Sequence, residues 1–322
     1  MKRLSTVVML VVSALWALGA SAQMYPNRPI KLIVADSAGG APDQLGRLLT
    51  EKLSNNVNQP VVVDNRPGAG GALGAELAAK SAPDGYTLLL TTTAIYAILP
   101  NLRKNLPYDP VRDFVPITRI ATASNVLVVN NELPVKDIAE LVKLAKEKPG
   151  ALNYASAGVG TPAHLAGEML NLLADIKVVH VPYKGAAPAL ADVIGGNAQY
   201  IITSPLAAGA HMNGGRVRAL ATTGTQRNPS LPDLATIAET LPGYDITQTW
   251  GIVVPTGTPP EIVNKLSAEI VKVMNQPDVR EKVLATGATP VGDSPAQFEA
   301  FMTKERQRLG DVIAKRGIVL TD

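Results

Sequence analysis

From residue 30 onward the chain alternates short β-branched or leucine-rich runs with helical patterns, and this alternation narrows the fold more than any other feature. Residues 30–35 (IKLIVA) read as a buried strand, and 43–53 as a helix with Leu45, Leu48, Leu49 and Leu53 on one face. Residues 61–64 read as a strand, 71–80 as a small-residue helix and 86–90 as a strand. Strands and helices then continue to alternate through 126–129, 135–146, 152–155, 162–173, 177–181, 186–194, 199–203 and 217–221. Such a series predicts an α/β protein with parallel-rich sheets and helices on both faces.

The C-terminal stretch is different. Residues 251–254 form one short strand pattern, and helical patterns follow. The last opens at Ser294-Pro295-Ala296-Gln297, a capping box with proline at the first helical position. Its apolar stripe of Phe298, Met302, Leu309, Val312 and Ile313 needs a surface to cover. The first half has strands but few helices to cover them, so the tail is expected to return there. The chain then crosses between two domains twice, near 123–125 and 247–250, which makes a hinge. The expected division is 23–124 with 248–322 as domain 1, and 125–247 as domain 2.

Lys2 and Arg3, an uncharged apolar run over 4–18 and the small residues Ala20-Ser21-Ala22 have the layout of a signal peptide, 1–22. The run falls short of the ~20 residues that span a bilayer. With no cysteine, neither a lipid-anchoring thiol nor a disulfide is available. The expected location is the periplasm. Losing Lys2 and Arg3 takes the formal charge from +3 to +1, and aromatic residues are 4% of the chain, so nucleic acid is not an expected partner.

Residues 153–170 read NYASAGVGTPAHLAGEML: a strand, a Gly loop and a helix. Gly158, Gly160 and Ala163 fit a dinucleotide fingerprint, but the next strand ends in Val181-Pro182-Tyr183-Lys184 without the carboxylate that would hold a ribose. No cofactor is expected. Free N–H groups and the positive helix end remain, and they suit a carboxylate as well as a phosphate. Thr161 is the expected N-cap, with Ser156 and Thr161 as hydroxyl donors. In the first half, Ala35-Asp36-Ser37-Ala38-Gly39-Gly40-Ala41-Pro42-Asp43 repeats this construction, with Asp43 read as the N-cap. Each loop by itself is compatible with an ordinary tight turn. As a pair they suggest opposite jaws of an anion-binding cleft.

Catalytic patterns are thin. There is no G-x-S-x-G elbow. His164 and Glu168 lie four apart on one helix face, but no third ligand stands nearby and no zinc motif matches, so a polar face with neutral His164 is expected and no metal. His180 lies in an apolar strand pattern and reads as a core residue. A binding protein is therefore expected rather than an enzyme; a secreted hydrolase would need a nucleophile or metal that the sequence does not display.

These residues, with Tyr25-Pro26-Asn27-Arg28-Pro29-Ile30, Asn65-Arg66-Pro67-Gly68-Ala69-Gly70-Gly71, Ala82-Pro83-Asp84-Gly85-Tyr86, Gly160-Thr161-Pro162-Ala163-His164 and Val181-Pro182-Tyr183-Lys184-Gly185, make the chain resemble the substrate-binding proteins of tripartite tricarboxylate transporters, the Bug family. The resemblance implies a two-domain periplasmic binding protein (type II, Venus-flytrap) with two crossover segments. Such a protein closes on a small organic acid and delivers it to membrane permease subunits. A monomer is expected. By resemblance the ligand contacts are Ser37, Ala38, Gly39, Gly40 and Thr91, Thr92, Thr93 from the first lobe. Those from the second are Ser156, Gly158, Gly160, Thr161, Thr203 and Ser204, with His164 at the border.

One departure is Asp36, where the family loop usually begins Pro-Phe. Asp36 can pair with a ligand ammonium, making the ligand an amino acid or amine, or accept backbone N–H groups of its own turn. Gln199 is a second, since Asp is common there in relatives. Whether the output is transport or presentation to a signalling receptor stays open. Four charge-assisted hydrogen bonds contribute about 6–12 kcal/mol before closure costs, and a micromolar Kd needs about 8 kcal/mol. Backbone amides and hydroxyls therefore suffice without an arginine clamp.

Overall fold

The computed structural model describes residues 25–183 and 185–318; the predicted signal peptide, 1–22, and Lys184 lie outside them. Strand β1 (Ile30–Val34) leads through a Gly loop into helix α1 (Ala41–Val57). β2 (Val61–Asn65) leads through a 3-10 turn (Ala69–Gly71) into α2 (Ala72–Ala79), and β3 (Thr87–Thr92) through a π-helical turn (Ala94–Ile98) into α3 (Leu99–Leu102). After the long strand β4 (Phe114–Ser124) come β5 (Val126–Asn130), α4 (Ile138–Glu147), β6 (Asn153–Ser156), α5 (Pro162–Ala174), β7 (Val179–Pro182) and α6 (Ala186–Ile194). Then follow β8 (Tyr200–Thr203), α7 (Pro205–Asn213), β9 (Val217–Thr222) and α8 (Ile237–Thr240). β10 (Thr247–Pro255), α9 (Pro260–Met274), α10 (Pro277–Ala285), β11 (Thr289–Pro290) and α11 (Pro295–Arg316) complete the chain.

The strands form two sheets. One has the order β11-β4-β10-β3-β1-β2 and the other β7-β6-β8-β5-β9. Alternating side chains of β1 and β3 enter opposite cores. Leu32, Val34, Leu88 and Leu90 pack with Leu45, Leu49 and Leu53 of α1 and with Leu266 and Ile270 of α9. Ile33 and Leu89 face the other way, toward Ala75, Phe298 and Met302. A sheet buried on both faces explains why its strands read as continuous apolar runs.

The sheets are mixed rather than parallel-rich. β1–β2, β1–β3, β6–β7 and β6–β8 are parallel, but β10 is antiparallel to β3 and β4, and β5 is antiparallel to β8 and β9. The reason lies in the connections. β4 leaves the first sheet at Ser124, β5 opens the second two residues later at Val126, and β10 returns alongside β4 with Thr247 opposite Ser124. The two crossings are thus neighbours. Thr223 ties them together: its Oγ accepts from Asn125 N at 2.8 Å and donates to Ile246 O at 2.7 Å.

Helix α11 starts with a complete capping box between Ser294 and Gln297. It lays Phe298, Met302, Leu309, Val312 and Ile313, all buried, across β4 and the 94–98 turn and reaches α5. Arg316 pairs with Glu168 of α5 at 2.8 Å, and Arg308 holds Glu305 and the Asp245 carbonyl. Among the described residues, no helix is long and apolar enough to cross a membrane.

Candidate functional site

The loop after β1 is tied internally by Asp43. Helix α1 begins at Ala41 with Gly40 as N-cap, so Asp43 is not the N-cap but the third helical residue, reaching back. Its Oδ2 accepts from Gly39 N at 2.8 Å and Arg47 Nε at 2.9 Å, and its Oδ1 from Asn65 Nδ2 at 2.9 Å. The Arg47 hydrogen bond, with help from Gly39 and Asn65, outweighs burial and brings this carboxyl down to about 2. Gly39 needs its glycine, because its φ of 86° is left-handed. Among the described residues the N–H groups of Ala41 and Asp43, in the first turn, have no backbone acceptor, as the open end of a helix leaves them.

Asp36 and Ser37 sit exposed at the tip of this loop. Asp36 Oδ1 accepts from Ser37 N at 2.7 Å, and the Asp36 carbonyl accepts from Asn65 Nδ2 at 3.2 Å. The carboxylate therefore takes a backbone N–H of its own turn while facing the space between the lobes. Gln199, the other departure, accepts from Asn153 N at 2.6 Å and fixes the start of β6.

In the second lobe, Thr161 caps α5, accepting from His164 N at 3.3 Å and donating to Gly158 O at 2.7 Å. The loop turns most of its own donors inward. Gly158 N donates to Ser156 Oγ at 3.1 Å and Gly160 N to His164 Nδ1 at 3.1 Å. The second contact requires a lone pair on Nδ1, hence neutral His164, and burial pushes that imidazole below its ordinary value. His180 is not a core residue: β7 is an edge strand and the ring is half-buried. It stacks on His164 at 4.1 Å and on Tyr154 at 4.8 Å between centroids, and its Nε2 meets Ser156 Oγ at 2.7 Å. Burial, then His164, lowers His180 to about 4. Glu168 is consumed by Tyr154 OH at 2.8 Å and Arg316 at 2.8 Å, and no group of three metal-ligating side chains occurs among the described residues.

A cavity of about 530 Å³ lies between the two lobes. Of the residues expected at the ligand, Asp36, Ser37, Thr92, Thr93, Thr161, Thr203 and Ser204 line it. Ala38, Gly39, Gly40, Thr91, Ser156, Gly158, Gly160 and His164 are not in the lining; Thr91, Ser156 and His164 are buried. The floor, which the sequence reading missed, is built from the crossing strands: Asn125, Gln248, Thr249 and Trp250.

The lining also contains the starts of five helices. Ala41 with Pro42 opens α1, Gly71 is the N-cap of α2, and Thr161 with Pro162 opens α5. Ala186 opens α6, and Ser204 caps α7 by accepting from Ala207 N at 3.2 Å. Only the α1 and α5 ends were anticipated as anion sites. The signal for the others was present in the Gly-rich run before Ala72, in Gly185 before Ala186 and in Ser204-Pro205. Each helix N-terminus carries about half a positive charge, while among the described residues the lining holds no Lys or Arg, and Asp36 is its one charged side chain. The arrangement can bind an anion through backbone and hydroxyl donors, and among the described lining residues no nucleophile is paired with a base.

Comparison with known proteins agrees with this geometry. Residues 45–318 match the family model described as the tripartite tricarboxylate transporter family receptor. Protein BugT of Bordetella pertussis is 36% identical over 323 residues, spanning 99% of each chain. A Rhodopseudomonas palustris protein solved with adipate superposes with a TM-score of 0.80 at 34% identity, covering 92% of this chain and 99% of its own. MatC from the same organism, solved with bound malate, gives a TM-score of 0.75 at 30% identity and covers 90% and 99%.

Proposed function

Because the chain belongs to the tripartite tricarboxylate transporter receptor family, we propose that it is a periplasmic solute-binding protein that captures a small carboxylate between its lobes and hands it to a membrane permease. The observation that carries this reading is the convergence of five helix N-termini on one cavity whose described lining residues include no Lys or Arg. The cavity volume, about 530 Å³, is in the ordinary range for small-molecule sites. Adipate and malate in the related structures are both dicarboxylates, and a linear diacid is the natural guest for donors arrayed on two facing lobes. The domain division that goes with this reading is 23–124 with 248–322, and 125–247. It is supported by the sheet that each strand joins.

The test is a thermal-shift screen of the mature protein against C4 to C6 dicarboxylates, tricarboxylates, aromatic acids and amino acids. Ligand at 100 times Kd stabilises by about 2.7 kcal/mol, enough to raise Tm clearly. A panel in which no carboxylate raises Tm refutes the proposal. The role of Asp36 is read from Asp36→Asn, which keeps an acceptor for Ser37 N but removes the charge. If Asp36 grips an ammonium, the variant loses amino acids and gains plain acids; if it only closes its turn, the ranking stays as in the wild type.

A further inference from the structure

Outside the cleft, a second cavity of about 520 Å³ runs between the 103–112 segment and α11. It is lined by four cations, Arg103, Lys104, Arg112 and Arg306, against one carboxylate, Asp109. That carboxylate is turned to its own loop, where Oδ1 accepts from Val111 N at 2.8 Å and Arg112 N at 3.1 Å. Several arginines elsewhere are paired, Arg119 with Asp293, Arg227 with Glu239, Arg308 with Glu305 and Arg316 with Glu168. In the groove, Arg103 Nε is buried without a hydrogen-bond partner, and Arg112 reaches only the neighbouring Asp113, at 3.1 Å. Among the described residues, Arg103, Lys104 and Arg306 form no salt bridge. The groove thus carries more positive than negative charge, and an anionic guest is attracted to that excess.

We propose that this groove is a docking site for an acidic segment of a protein partner. A peptide fits better than a small free anion for two reasons. The cations are spread along a ten-residue segment and a helix rather than converging on one point. The walls also offer apolar contact, with Pro107, Pro110 and Val111, the last 60% exposed. The groove is held stiffly. Tyr108 OH donates to Ile95 O at 2.7 Å, and Asn101 Nδ2 donates to Arg306 O at 2.9 Å. Those same ties connect it to the cleft: Ile95 follows Ala94 in the cleft lining, and α11 reaches α5 of the other lobe through Arg316. A partner seated there touches α11, a helix that packs on elements of both lobes. The proposal stands whether or not the cleft takes a carboxylate.

The experiment is fluorescence anisotropy of labelled hexaglutamate with the mature protein at low and physiological ionic strength. Comparison proteins are Arg103→Glu/Arg306→Glu and a control of equal charge change on α4, Lys143→Glu/Lys146→Glu. Saturable binding is expected, weakened about tenfold or more by the groove variant and by less than about twofold by the control. Should the double variant fail to fold, exposed Lys104→Glu is expected to weaken binding about threefold. Absence of binding at low ionic strength, an unaffected groove variant or an equal loss in the control overturns the proposal. So does displacement of the peptide by an equal concentration of inorganic phosphate, which marks a small-anion site.

Discussion

Replacing Asp43 by asparagine tests how the first Gly loop is held. The side chain is 3% exposed and serves Gly39 N, Arg47 Nε and Asn65 Nδ2 together. Its carboxyl lies at about 2 instead of the ordinary 3.8. At about 1.4 kcal/mol per pH unit this lowering corresponds to about 2.4 kcal/mol, and because Arg47 is largely exposed, screening reduces it to about 1–2 kcal/mol. A carboxyl lowered by folding stabilises fully above its unfolded value and loses that contribution as pH falls through its folded value. Asp43→Asn should therefore be less stable than wild type by about 1–2 kcal/mol at pH 7 and 5, with the gap roughly halved at about pH 3. Urea unfolding at these three pH values, followed by the fluorescence of Trp250 in the cavity floor, measures the gap. A difference that is constant with pH, or none at pH 7, refutes the argument that the ionised carboxylate fastens the loop.

Gly251→Ala would place a methyl 2.2 Å from the Phe298 ring and should cost about 1–3 kcal/mol, read as a lower melting temperature. Arg308→Ala leaves Glu305 and Asp245 facing each other without their cation and should destabilise by about 3 kcal/mol in the same assay. His180 is lowered by burial and by His164, so wild-type stability should decline as pH drops from about 6.5 toward 4, and His180→Gln should flatten that slope in urea titrations. Thr161→Ala and Ser204→Ala each remove a cap at the cavity; each should cost about 1 kcal/mol of stability and weaken carboxylate binding in calorimetry.

The legible parts of the fold were those where one local rule acted alone. Apolar runs gave β1, β3, β5 and β8, and Ser294-Pro295 and Thr161-Pro162 marked the starts of α11 and α5 to the residue. β4 was missed although it has 11 residues. It contains Pro116 and polar Thr118, Arg119 and Thr122, and its register against β10 shifts twice, so no period of two survives along it. α7 was missed because its Ala- and Gly-rich sequence presents no apolar stripe. Asp43 has the composition of an N-cap, but the helix starts two residues earlier at Ala41, and Asp43 instead holds Arg47 one turn on and, through a tertiary bond that spacing cannot reveal, Asn65. His180 looked like core because β7 is apolar; only the strand order shows it at a sheet edge. The floor residues Asn125 and Gln248 to Trp250 belong to no motif, since they become neighbours only when β10 returns beside β4.

A site made from helix ends has consequences that one made from arginines would not. The donors are backbone groups fixed by the fold, so ordering them on binding costs little side-chain entropy, whereas each long cation immobilised costs about 1–2 kcal/mol. The five ends are divided between the lobes, α1 and α2 on one side and α5, α6 and α7 on the other. An anion held by one lobe alone leaves the opposing dipoles unsatisfied, and their field falls off within about one helical turn, so the attraction grows only as the lobes approach. A neutral guest of equal shape offers no such gain. On the proposed function, charge on the ligand would thereby be converted into differential affinity for a closed arrangement, which is the quantity a ligand must supply to shift a two-state equilibrium.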